Sequence, residues 1–249
     1  MVTMKGLLLV TPLLAASVSW APFDLVRYSS MRFERGGAAQ PAGLGQETAQ
    51  AAAPSLGQVV ENLQRAVDGI NDFAGSFQQT AVQVALGEPR VSRGEVAYRR
   101  PGQMVWDYAG VDGQMGRMLI LDGTQLWSID LEQEQYYTTP LSGGEIPVAM
   151  RFLVGEGKLV DDFDIALGTG STGERVSLEL VPKVPTGDYA RLRLVVTTHD
   201  WRIVETTVVD ALGNTNTLRF SQMRYNAGVD AALFAAEVPP GFTRVSVPE

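Results

Sequence analysis

A change of hydrophobic period near residue 70 is the feature that most constrains the fold of this chain. Leu56, Val59, Val60, Leu63, Val67 and Ile70 recur at the i, i+3, i+4, i+7 spacing of one helical stripe, with Glu61, Arg65 and Asp68 on the other side. "SLGQ" at 55–58 opens that helix as a capping box, with Ser55 as N-cap and Gln58 reaching back. Beyond it the period falls from about 3.6 to 2, in short segments separated by turn residues. The pattern predicts strands over 76–86, 93–99, 103–108, 117–121, 125–129, 134–139, 174–181, 190–197, 202–209 and 215–224. So many short antiparallel strands imply a mainly β (α+β) fold built on one large curved sheet. The mixed charges of the helix suit packing on that sheet, since a membrane-surface helix carries Lys and Arg on its polar face.

Several strands alternate cleanly. Val176, Leu178 and Leu180 share one side of theirs; Leu192, Leu194 and Val196 share one side of the next, with Arg191 and Arg193 opposite. "LDGTQLW" at 121–127 carries the Asp-Gly signature of a tight hairpin. Between the two groups of strands lies "GGEIPVAMRFLVG", in which Pro147 suits the first turn of a short helix bearing Met150, Phe152 and Leu153.

The inventory of reactive groups is thin. The 249 residues include no cysteine and one histidine, His199, in the turn sequence "TTHDW", so the usual zinc and thiol chemistries have no ligands here. "GTGSTGE" at 168–174 resembles a phosphate loop but leads into a strand, and it lacks the lysine of that motif. Asp161, Asp162 and Asp164 in "VDDFD" lack EF-hand spacing and read as a solvated loop. No catalytic residue, metal or cofactor is therefore assigned. A net charge of −8 argues against nucleic-acid binding and against docking on an anionic bilayer.

The amino-terminal region has a different character. "GLLLVTPLLAASVSWA" after Lys5 is an apolar run of signal-peptide type, assigned to residues 1–21. No Cys follows it, which excludes a lipoprotein signal. Residues 22–54, rich in Ala, Gly, Gln and Pro, read as a flexible tether to a domain over 55–249. An exported, acidic, curved sheet with more apolar surface than polar chemistry has the character of a carrier of greasy ligands.

"YRRPGQMVWDY" at 98–108 poses the central question, because a paired positive charge introduces a strand whose alternate residues are Met104, Trp106 and Tyr108. Those side chains fill a core beneath a rim charge, or they line a cavity. Met104 suits a cavity wall, since a flexible thioether accommodates chains of varying shape.

"GSFQQT" at 75–80, "GEVAYRRPGQMVWDY" at 94–108, "LDGTQLWSIDLEQEQ" at 121–135, "LELVPK" at 178–183 and "GVDAALFAAEVPPGFTRV" at 228–245 together resemble, in order, the motifs of the periplasmic outer-membrane lipoprotein carriers of the LolA type. The resemblance implies an incomplete, strongly curved antiparallel barrel whose apolar cavity is covered by short lid helices. It implies a periplasmic, monomeric, non-enzymatic chaperone. Such a protein takes the acyl chains of lipoproteins from an inner-membrane lipoprotein-releasing ABC transporter and delivers them to an outer-membrane acceptor.

On this resemblance Arg100 is a lid latch, holding lid backbone through a guanidinium that offers five fixed donors. Met104, Trp106, Tyr108, Leu119, Met150, Phe152 and Leu153 line the acyl-chain cavity. An alternative reading is a periplasmic lipid- or lipoprotein-sensing module that uses the same groove. A hydrolase would instead require an acidic pair inside that groove.

Overall fold

The computed structural model describes residues 54–110, 115–141, 158–185, 187 and 189–246. Helix α1 (Leu56–Asp68) begins as its sequence dictates: the Ser55 side chain accepts from the Gln58 N–H, and the Gln58 side chain reaches back to the Ser55 N–H at 2.9 Å. Its apolar stripe, Val59, Val60, Leu63 and Val67, is buried, and Ile70 extends the stripe just past the helix.

The strands are β1 (Asp72–Val82), β2 (Pro89–Arg99), β3 (Gln103–Ala109), β4 (Met115–Asp122), β5 (Gln125–Asp130), β6 (Gln135–Pro140), β7 (Phe163–Leu167), β8 (Arg175–Pro182), β9 (Arg191–Thr197), β10 (Ile203–Val209), β11 (Thr215–Tyr225) and β12 (Thr243–Arg244). Among the described residues they form one open, curled sheet of 12 strands in the order β12-β6-β5-β4-β3-β2-β1-β11-β10-β9-β8-β7. All pairings are antiparallel except the parallel contact of β12 with β6. The sheet begins and ends on different strands, so the barrel is incomplete.

Close approach lets the sheet curl. A Cβ on Gly94 would lie 1.9 Å from the Asp107 carbonyl oxygen, and the Phe77 ring covers the space a side chain would otherwise need. Gly75 sits at a register shift between β1 and β11, against Met223. Such bulges sharpen local twist.

Alternation separates two apolar faces. The concave face gathers Phe73, Phe77, Tyr98, Met104, Trp106, Leu121, Leu178, Leu194 and Val196 beneath α1 in one continuous core. On the convex face, Ala97, Val105 and Ile120 stand in register across β2, β3 and β4. The 3-10 turn Ala231–Phe234 packs against β3 and β4, with Phe234 buried to 1% exposure.

The aspartate segment differs from its sequence reading. Leu159–Asp162 is a helical turn, α2, and Phe163–Leu167 continues as edge strand β7, where a solvated loop was expected. Leu159 and Phe163 supply the reason: both are buried in the core and anchor the segment, while the three aspartates remain exposed. Strand β1 also starts four residues before the expected 76 and stops at Val82, because residues after it turn through Gly87 at φ +71°. Residues 1–53, which include the proposed signal and nearly all of the tether, lie outside the described residues, as do Met150, Phe152 and Leu153.

Candidate functional site

Strand β3 places Met104, Trp106 and Tyr108 on the concave face, and β4 places Leu119 directly opposite Trp106. Trp106 is 0% exposed and Met104 2%. The indole N–H of Trp106 donates to the Met104 sulfur at 2.9 Å, so a buried polar group is satisfied by a thioether. Phe77 meets Trp106 and Tyr108 edge to face, with ring centroids 4.8 and 5.0 Å apart. Arg117 lies over the Tyr108 ring at 4.9 Å. Burial raises the Tyr108 phenol above its ordinary pKa against the opposing pull of Arg117, keeping it neutral.

The apolar stripe of α1 packs into the same core, and side chains from three separated parts of the sheet hold its C-terminal end. Arg100, in the β2–β3 turn, directs its Nη2 at the Val67 carbonyl at 3.5 Å, while its backbone N–H donates to Asn71 at 2.8 Å. Arg202, entering β10, donates from Nη1 to the Ala66 carbonyl at 2.9 Å and stacks over Tyr225 at 4.3 Å. Asn226, just after β11, donates from Nδ2 to the Gly69 carbonyl at 2.9 Å, and its Oδ1 accepts from the Asn71 N–H at 2.7 Å. The last carbonyls of a helix lack partners within it and carry partial negative charge, so guanidinium donors suit them. Sequence reasoning singled out Arg100 and missed Arg202 and Asn226, which lie 136 and 157 positions from the carbonyls they hold.

Behind this closure remains a cavity of about 20 Å³, lined by Val67, Ile70, Phe73, Ile203, Phe220 and Met223 among others. That is room for about one water molecule. Beneath the end of α1 the concave surface is therefore mostly apolar and closely packed.

On the convex side the chemistry differs. Asp107 faces Glu95 across the β2–β3 pair. Burial, with the nearby Glu95 charge, pushes Asp107 up to about 6, and burial also raises Glu95. At the β4–β5 hairpin, burial alone would raise Asp122, but hydrogen bonds from Thr124, Trp127 and Gln125 hold it down at about 2. His199 is exposed beside Asp200 in the β9–β10 turn. Among the described residues no group of three His, Asp or Glu side chains is placed to hold a metal ion, and no helix is long and apolar enough to cross a membrane.

Residues 68–237 match the family model described as outer membrane lipoprotein carrier protein LolA. Two proteins named outer-membrane lipoprotein carrier protein are similar over most of their length. One, from Chromobacterium violaceum, is 29% identical, covering 78% of this chain and 91% of its own. The other, from Cupriavidus pinatubonensis, is 30% identical, covering 75% of this chain and 87% of its own. A solved LolA superfamily protein from Nitrosomonas europaea aligns at a TM-score of 0.40 with 14% identity, over 74% of this chain and 99% of that one. With the family model covering more than half of its length, the chain belongs to the LolA family of outer-membrane lipoprotein carrier proteins.

Proposed function

We propose that this protein carries lipoproteins through the periplasm by taking their acyl chains onto the concave face of the sheet, without catalysing a reaction. One observation carries this reading: a continuous apolar surface, including Met104, Trp106, Tyr108 and Leu119, is covered by a helix tied down at its end through polar side-chain contacts. An acyl chain of about 15 methylenes brings on the order of 12 kcal/mol relative to water. A closed, self-packed cavity returns part of that gain when the chain leaves, which makes handover from a donor to an acceptor feasible.

In this reading Arg100 and Arg202 together are the latch. Opening breaks their hydrogen bonds to Val67 and Ala66, α1 lifts, and Phe77, Trp106 and Leu119 become the wall of the acyl site. Met150, Phe152 and Leu153, which lie outside the described residues, are assigned to the lining of the same acyl site by the family resemblance. An inner-membrane ABC transporter loads the monomeric carrier, and an outer-membrane acceptor empties it. Arg100→Leu leaves loading intact but slows the return to the closed form, so normal transfer by that variant in a reconstituted donor-to-acceptor assay contradicts the latch.

Native mass spectrometry of the protein purified under mild conditions from a Gram-negative periplasm, with lipid analysis of what is bound, tests the carrier role. Acylated lipoproteins at one per carrier are expected. Phospholipid alone, with no lipoprotein even when the outer-membrane acceptor is depleted, contradicts it.

A further inference from the structure

Among the buried residues of the concave face along β9, β10 and β11, one is polar. Thr206 points inward from the middle of β10, between Leu194 of β9 and Leu218 of β11, both in direct register with it. It is 3% exposed, and its hydroxyl has no hydrogen-bond partner. The adjacent threonine shows the contrast: Thr207 points to the other face and meets Thr217 of β11 hydroxyl to hydroxyl at 3.0 Å. A buried hydroxyl without a partner is destabilising, and valine would fill the same space on a strand without that penalty.

Position gives this hydroxyl a use. The small cavity under α1 is lined by Ile203 and Phe220. The next inward-facing residues on those two strands are Thr206, past the register shift after Ile203, and Leu218. A chain that enters by widening the cavity meets Thr206 as an early donor on an otherwise greasy wall.

We propose that Thr206 is a polar subsite within the acyl-binding face, donating to the carbonyl oxygen of the ester or amide that joins an acyl chain to its cargo. This rests on the carrier reading above. An apolar wall alone grips any hydrocarbon equally. One buried hydroxyl lets the site distinguish an acylated ligand from a plain alkyl one and sets how deep the linkage sits, because a donor unpaired in the empty protein gains a hydrogen bond only from a ligand that brings a carbonyl.

The test uses the full chain and two probes with the same hydrocarbon tails: dipalmitoylglycerol, with two ester carbonyls, and its dihexadecyl ether analogue, with none. The unaltered protein is expected to bind the ester about tenfold more tightly than the ether. Thr206→Val loses that preference by weakening the ester alone, melts at least about 2 °C higher than the parent, and Thr206→Ser keeps the preference. A Thr206→Val protein that retains the ester preference, or that melts lower because the hydroxyl had an internal partner, overturns the proposal and leaves the carrier reading standing. Binding of neither probe by the unaltered protein removes the carrier reading and the subsite with it.

Discussion

The two faces of strands β2, β3 and β4 are both buried, yet they are covered in different ways. The concave face lies under α1, whose terminal carbonyls are held by Arg100, Arg202 and Asn226. The convex face lies against a 3-10 turn; Phe234 in that turn and Val105 and Ile120 on the strands are all buried. One cover buries the apolar stripe of α1 and is in addition fastened by directional polar contacts at the helix end. The other relies on close-packed apolar surface, which opens only at the full expense of burial. In the carrier reading proposed above, these strands present one face that opens and one that stays covered.

Phe234→Ala breaks this contrast most severely. It leaves a cavity on the permanent face and lowers stability by about 3 to 5 kcal/mol, read as a fall in the urea midpoint, while the folded fraction binds acyl probes normally. Arg202→Ala acts on the other cover. Loss of the charged hydrogen bond and the stacking on Tyr225 amounts to about 2 kcal/mol. Hydrogen exchange should speed up at the amides of α1 and stay unchanged at Met118 and Ile120; equal acceleration on both faces contradicts the separation.

Asp107 sharpens the comparison through pH. Its folded pKa, at about 6, is raised above the ordinary carboxylate value of 3.8, so protonation favours the fold. The contribution is fully present below about 3.8 and is lost as pH rises through about 6. Asp107→Asn should therefore be more stable than the parent at pH 7, by about 1 to 2 kcal/mol after solvent screening, with little difference at pH 4. Denaturation midpoints across that range check the sign. The smallest effect belongs to the N-terminal end of α1: Ser55→Ala removes the capping box and loosens the helix by about 1 kcal/mol, seen as faster exchange in its first turn.

Much of this architecture is legible locally. The capping box at Ser55 and Gln58 marks α1, and the inward rows of β8 and β9 follow from period-2 spacing because their outer faces are wet at Arg191 and Glu179. Strand β4 reads less clearly as a two-faced element, since Met118, Ile120 and Leu121 are buried on opposite sides and blur the alternation. Edge strand β7 is hidden by short length and exposed aspartates, and β12 has two residues with no period at all. The polar fastening of α1 is the least legible part. A lone Arg202 or Asn226 in a turn carries no local signal for a carbonyl brought close only by the closure of the sheet.

The most direct test of opening at one face places a photo-crosslinking residue at Leu119 and, in a second variant, at its neighbour Met118, and exposes periplasm that is actively exporting lipoproteins. These adjacent positions point to opposite faces of β4. Crosslinks to acylated lipoprotein from 119 and none from 118 are the expected result. Crosslinks from 118, or from neither, contradict a carrier that opens on its concave side.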